Sequence, residues 1–472
     1  MIPRIMAAGT GGDCGKTMIS LGLAAAWRRE DIEVAPFKKG PDYIDAAWLS
    51  MAAGRSARNL DTWMMGSEGV LRAFAANAIP SGINLVEGNR GLHDGEDAGG
   101  THSSAALAKL LGLPVVLILP ITKMTRTAAA IALGMKLLDA DLKIAGVLLN
   151  RIGTSRQEAI VRSAVEAETG LPVLGAIPQV ANNPLPDRHM GLITPQEYAG
   201  AEAAIQAAAD IIRSAVDIAR LKRIAETAAQ NPLAIPNRVE ESCIVSELGR
   251  GLRIGYFRSA AFTFYYPDNL EAIERAGATT VAIDPLKDLE LPSIDALYVG
   301  GGFPETHATQ LAANTSFHRA IVAAAELGLP IWAECGGLMF LSRAIHWKEC
   351  CYPMAGFLPV DVSLSAKPAG HGYEEVVTDQ PNAFVKKGTR LRGHEFHYSQ
   401  VMNVGKMETA FEVKRGTGLG NQRDGIIKNR VLASYIHLHS QAAPEFLSGL
   451  ISAALCFKQE KDLAGNSSPL LK

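Results

Sequence analysis

Residues 9–17 read GTGGDCGKT, a glycine-rich run closing on Gly15-Lys16-Thr17. It follows the apolar stretch PRIMAA (residues 3–8) and precedes a helix candidate that begins near Lys16, the strand–loop–helix setting of a phosphate loop. The pattern G-x-x-x-x-G-K-[ST] would put its first glycine at position 10, where this chain has Thr10. Gly9, Gly11, Gly12 and Gly15 still leave a backbone that can bend its amides toward phosphate oxygens. Lys16 can then reach the terminal phosphates and Thr17 can ligate magnesium. Cys14, inside the loop, reads as a small filler rather than a nucleophile.

Outward from this loop, apolar strand candidates alternate with alanine-rich helical stretches: EVAPFKK (33–39), INLVEG (83–88), PVVLILP (114–120), IAGVLLN (144–150) and PVLGAIP (172–178). That alternation predicts a mainly parallel sheet covered by helices, an α/β fold. The prolines and charges of NPLAIPNRVEESCIVSELGRG (231–251) interrupt it. The expected organisation is a synthetase-type phosphate-loop domain over 1–230, a linker over 231–250, a second α/β domain over 251–457 and a disordered tail over 458–472. The chain has 472 residues, 48% of them hydrophobic, with a net charge of -2. It is long enough for two cores and has no basic excess to meet a phosphodiester backbone, so nucleic acid is not an expected partner. No apolar run approaches a membrane span and the start lacks a signal-peptide pattern, so a cytoplasmic protein without membrane contact is expected. The six cysteines show no C-x-x-C spacing, which predicts free thiols.

Two acidic turns follow strands of the same sheet and so share the edge that carries the phosphate loop. FKKGPDYID (37–45) brings Lys38, Lys39, Asp42 and Asp45, and VEGNRGLHDG (86–95) brings Glu87 and Asp94. Acids there suit the metal that accompanies a nucleotide phosphate.

In the second half, PIWAECGGLMFL (330–341) runs an apolar strand into Cys335 and two glycines before a helix candidate, a nucleophile elbow with cysteine as nucleophile. Upstream, ALYVGGG (296–302) ends a strand in glycines whose amides near Gly301 and Gly302 are oxyanion-hole candidates. Downstream, YIHLH (435–439) places His437 and His439 on one face of a strand, with both near the cysteine or one merely structural. A metal site of His394, His397, His437 and His439 is a rival, weaker for want of thiolates or carboxylates at ligand spacing. Cys350 and Cys351 carry no assignment beyond a packed loop.

GTGGDCGKT, FKKGPDYID, RNLDTWMMG (58–66), VEGNRGLHDG, VLLNR (147–151) and PDRHMGL (186–192), in this order, resemble the signature segments of the cobyrinate a,c-diamide synthase family. The resemblance covers almost the whole chain. It implies an N-terminal domain like dethiobiotin synthetase, whose loop also departs at the position of Thr10, and a C-terminal class I glutamine amidotransferase domain of flavodoxin-like build. Gly11 stands where partition ATPases carry a signature lysine, which argues against that branch.

The implied activity is ATP- and glutamine-dependent amidation of the a and c acetates of a modified tetrapyrrole through an acyl phosphate. Sirohaem or a sirohydrochlorin is the alternative substrate, and a regulatory ATPase without amidotransferase activity is a remoter reading. The implied partners are ATP, L-glutamine, magnesium and a tetrapyrrole polycarboxylate, and a homodimer is allowed for. Carried over residue by residue, Gly9, Thr10, Gly12, Gly15, Lys16, Thr17 and Asn150 bind ATP, with Asn150 a nucleobase contact or, on its residue type alone, a strand-ending turn residue. Thr17, Asp45 and Glu87 hold magnesium, and Lys38, Asp42 and Asp94 face the substrate or acyl phosphate. Cys335 falls on the glutaminase nucleophile and His437 on its general base. The usual His-x-Glu ending is His-x-His here, so another acid, or none, steadies His437. Arg55, Arg58, Arg90 and Arg126 are candidates for the remaining substrate carboxylates.

Overall fold

The computed structural model describes residues 2–180, 185–188, 191–233, 248–403 and 405–466. The chain divides into two compact units, Met1–Asn237 and Arg238–Lys472. Most of the expected linker, residues 234–247, lies outside the described residues.

The first unit is built on seven parallel strands: β1 (Arg4–Gly9), β2 (Val34–Lys39), β3 (Arg58–Leu60), β4 (Ile83–Gly91), β5 (Val115–Pro120), β6 (Ile144–Ile152) and β7 (Val173–Pro178). Their order across the sheet is β3-β2-β4-β1-β5-β6-β7. β1 and β2 are buried along their whole length, as strands covered by helices on both faces must be. Leu117, Ile118 and Leu119 of β5 are fully buried, each stabilising the fold by roughly 1.5–3 kcal/mol relative to exposure. Because β4 lies between β1 and β2, Glu87 is in register with Ala7 on one side and Lys38 on the other. Helix α1 (Lys16–Arg28) starts straight after the glycine loop, and α2 (Tyr43–Ala53) straight after the β2 turn. Both turns therefore open at the carboxyl edge of the sheet, where parallel α/β folds bind ligands.

The second unit has a ten-stranded sheet. Its parallel part runs Thr279–Ile283, Arg253–Phe257, Ala296–Val299, Ile331–Glu334, Val431–Ser434, which is the flavodoxin-like order 2-1-3-4-5. An antiparallel extension (Arg423–Lys428, Glu408–Arg415, Gly370–Thr378, Arg390–His397, His437–Leu438) carries the chain back to the end of the parallel strands. Alternation splits the core: Leu297 and Val299 pack with Phe257 and Phe340, while Ala296 and Tyr298 pack with Trp332.

Over residues 458–466 the tail differs from expectation, and residues 467–472 lie outside the described residues. The C-terminal helix Pro444–Asn466 runs well past residue 458. Its last turns are tied down by the Arg430–Glu460 ion pair and by Lys458, which donates to the Gly251 carbonyl, contacts invisible in a polar sequence. Among the described residues no helix is long and apolar enough to cross a membrane.

Candidate active sites

In the first unit the glycine loop is held from within and from the side. A β-carbon on Gly9 would lie 2.0 Å from Cys14 Sγ. Gly15 caps α1 at φ +89°, where a side chain would be strained and would meet Asn150 Nδ2 at 2.3 Å. No atom crowds Gly11 or Gly12. Lys16 Nζ bends back to donate to the Gly11 carbonyl (2.7 Å) and lies 3.6 Å from Cys14 Sγ.

Beside the loop, Lys38, 1% exposed, donates to Asp45 Oδ2 (2.5 Å) and to Glu87 Oε1 (2.6 Å), and Thr17 Oγ1 donates to the same Glu87 oxygen (3.1 Å). Burial alone would lower the Lys38 pKa, but Asp45, Glu87 and Asp42 outweigh it and keep the ammonium charged far above neutrality. Burial pushes the carboxyl of Asp42 up to about 6, with Asp45 adding to it, and burial raises Glu87 as well. Glu87 is wholly buried and its Oε2 has no hydrogen-bond partner. A spare buried carboxylate oxygen next to a threonine hydroxyl is a hard-oxygen donor set that fits magnesium. Thr17, Glu87 and Asp45 would hold that ion.

The structure thus groups Lys16, Thr17, Lys38, Asp45 and Glu87. Asp42 sits among them chiefly as the cap of α2, accepting from the amides of Ile44 (2.8 Å) and Asp45 (2.9 Å). Asp94 is exposed and closes its own turn by accepting from Gly91 N (2.8 Å), so no contact beyond that turn supports its expected substrate role. Asn150 donates to the Cys14 carbonyl (2.9 Å) and accepts from Arg151 N (2.9 Å). It braces the loop, and a nucleobase contact rests on the resemblance alone. Of the arginines, Arg55 lies past the far end of α2, and Arg126, in the connection after β5, pairs with Glu168. Arg90, at φ +49°, extends β4 beside Lys39.

In the second unit Cys335 ends the strand Ile331–Glu334 at φ +47°, ψ -95°, a strained conformation for a residue with a side chain and the one a nucleophile elbow requires. The thiol is 5% exposed. Burial pushes its pKa well up, Glu305, Glu334 and Asp424 add to this, and the Gly336 amide pulls the other way. The resting cysteine is therefore a neutral thiol that needs a base. Gly301 and Gly302 pack against the elbow: a β-carbon on Gly336 would lie 3.1 Å from Gly302 N. One on Gly301 would lie 2.6 Å from His437 Cε1 and 3.4 Å from its Nε2. Cysteine elbow, oxyanion-hole amides and imidazole are thus contiguous.

The histidines divide. His437 Nδ1 lies 3.3 Å from Glu334 Oε2, with both side chains fully buried. His439 lies 3.6 Å from Asp268 and accepts from Gln441 N. His394 stacks on His437 (5.0 Å between centroids) and meets the Tyr266 hydroxyl. Its pKa is driven well down by burial and then by the neighbouring histidines. His397 stacks on Tyr435 and meets Glu395 and the Ser399 carbonyl. Among the described residues no group of three or more His, Cys, Asp or Glu could hold a metal. Cys14, Cys335, Cys350, Cys351 and Cys456 are free thiols. Sequence reasoning missed Glu334, because the residue before a nucleophile is expected on the opposite face of its strand.

Comparison with known proteins agrees with this division. Residues 5–193 match the CobQ/CobB/MinD/ParA nucleotide binding domain, and residues 253–445 match the CobB/CobQ-like glutamine amidotransferase domain. The chain is 41% identical over 448 residues to a cobyrinate a,c-diamide synthase of Magnetococcus marinus, covering 94% of this chain and 96% of the relative. It is 39% identical to the enzyme of the same name from Archaeoglobus fulgidus, covering 93% and 94%. Over this length and at this identity, with both domains matched, the chain belongs to the cobyrinate a,c-diamide synthase family.

Proposed function

We propose that this glutamine-dependent amide ligase uses ATP to phosphorylate acetate side chains of a tetrapyrrole such as cobyrinate, and amidates them with ammonia from its own glutaminase unit. The observation that carries the reading is one chain holding two chemically distinct sites: a phosphate loop flanked by the buried Lys38–Glu87–Asp45 cluster, and a strained cysteine elbow beside a buried imidazole.

At the second site, His437 takes the thiol proton and Cys335 Sγ attacks the side-chain amide carbon of glutamine. The amides near Gly302 and Gly336 receive the oxyanion. The imidazolium returns the proton to the departing nitrogen, ammonia leaves, and water hydrolyses the thioester to glutamate and free thiol. At the first site, a substrate carboxylate oxygen displaces ADP from the γ-phosphorus. The acyl phosphate then loses inorganic phosphate to attacking ammonia, giving the amide. Lys16 and the loop amides hold the phosphates, and Lys38 places a fixed positive charge where carboxylate and phosphoryl oxygens meet. Magnesium, held by Thr17, Glu87 and Asp45, would neutralise phosphate charge there. The domain limits proposed are 1–230 for the first domain and 251 to the end of the helix Pro444–Asn466 for the second.

The test is product mass spectrometry with cobyrinate and sirohaem offered in parallel. One or two acid-to-amide conversions of cobyrinate are expected from the wild type with glutamine, and none of sirohaem. Cys335→Ala loses glutamine-driven product and keeps ammonia-driven product. Loss of both would sink the two-site account, and amidation of sirohaem alone would reassign the substrate.

A further inference from the structure

The glutaminase chemistry just proposed leaves one requirement unmet. When His437 accepts the thiol proton it becomes a cation in a pocket where it is 1% exposed, and a buried cation without a counter-charge is costly. The position two residues on, His439, cannot answer it, because that side chain is neutral or positive and faces Asp268. The carboxylate that lies against His437 comes from the other side of the site.

We infer that Glu334, the residue immediately before the nucleophile, is the positioning carboxylate of His437: its Oε2, 3.3 Å from Nδ1, fixes the ring orientation and the tautomer and stabilises the imidazolium. Glu334 is wholly buried and is itself held. Trp332 Nε1 donates to its Oε1 (3.1 Å) and the Tyr298 hydroxyl donates to its Oε2 (3.3 Å), so the carboxylate has little freedom except to face the imidazole. With Nδ1 engaged, Nε2 is the atom left toward the cysteine side, and the ring edge carrying it is the one against Gly301.

The backbone explains how adjacent residues serve one imidazole. Along a regular strand, Glu334 and Cys335 would point to opposite faces of the sheet. The left-handed turn at Cys335 (φ +47°) redirects the thiol. Glu334 meanwhile continues the Trp332 face, and its backbone is paired with Ser434, three residues before His437. The strain at the elbow thus does more than expose the nucleophile: it brings acid and nucleophile, neighbours in the chain, to the same base.

This inference rests on the glutaminase reading, and the experiment separates the two. Glutamine hydrolysis and ammonia-driven synthesis are measured on the full chain for wild type, Cys335→Ala, Glu334→Gln, Glu334→Asp, His437→Gln and the Glu334→Gln/His437→Gln double variant. If Cys335→Ala still hydrolyses glutamine, the site itself is misassigned. With that control inactive, Glu334→Gln is expected to lower kcat for glutamine by about 10²- to 10⁴-fold while KM stays within about threefold and ammonia-driven synthesis is unchanged. Alkylation of Cys335 by iodoacetamide slows in parallel, Glu334→Asp recovers part of the rate, and adding Glu334→Gln to His437→Gln costs nothing further. Full glutaminase activity in Glu334→Gln, or losses that multiply in the double variant, overturns the assignment. Loss of ammonia-driven synthesis together with glutaminase in both Glu334 variants assigns the residue to packing alone and overturns it equally.

Discussion

Glu374→Gln is expected to stabilise the second unit, and to do so more strongly the more alkaline the solution. Glu374 and Asp424 are both wholly buried, and the charge of Asp424 acts on Glu374. Neither Glu374 oxygen has a hydrogen-bond partner, whereas Asp424 accepts from the amides of Tyr435 and Ile436 (3.0–3.2 Å). Burial, and then the charges of Asp424 and Glu395, push the Glu374 pKa well up, and burial pushes Asp424 up to about 6. In the unfolded chain both groups ionise near pH 4. Between that pH and the raised pKa the folded pair therefore holds a proton that the unfolded chain has lost. Its stabilisation is complete below about pH 4 and is lost as pH rises, by about 1.4 kcal/mol per pH unit for each proton held. A glutamine needs no proton and can donate its amide to Asp424, so the variant escapes one proton's worth of this slope. The difference in unfolding free energy, variant minus wild type, should grow by up to about 1.4 kcal/mol per pH unit until the raised Glu374 pKa is reached. Urea unfolding followed by tryptophan emission at pH 6, 7 and 8 measures it. A difference that is flat across this range would refute a proton retained on Glu374 in the folded chain.

Gly301→Ala puts a methyl group 2.6 Å from His437 Cε1, so glutamate release should fall by about 10²-fold or more while ammonia-driven amidation persists. Lys38→Ala should abolish amidation with either nitrogen source, since the loss lies in the first unit. It also leaves Glu87 buried without its counter-charge, and a stability loss of about 3–5 kcal/mol should appear in the thermal transition of that unit.

The strands of the first unit were legible because each is a short apolar run bounded by turn residues, and the glycine loop named the carboxyl edge of the sheet in advance. β3, only three residues long, offered no pattern to read. The antiparallel half of the second sheet was also missed, because its pairing joins residues such as Glu375 and Arg415 that are distant in sequence. At the sites, residue type singled out Lys38, Glu87, Cys335 and His437, and the fold buries all four. Residue type gave no hint of the backbone hydrogen bonds that Asp94 and Asn150 make. Glu334 was hidden by the alternation rule itself, and only the positive φ at Cys335 reveals it.

The brace from Asn150 bears on why Thr10 can stand where a glycine is usual. Asn150 holds the Cys14 carbonyl and Arg151 holds that of Asp13, both from the end of β6, a strand two places away from β1. The cradle therefore inherits its curvature from the spacing of the sheet, roughly 10 Å across two strand intervals, rather than from the flexibility of its own residues. Glycine is demanded only where the brace and Cys14 press in, at positions 15 and 9. Between them the loop is free to drift in sequence without losing its shape, as an arch tolerates a change of stone so long as its abutments stay put.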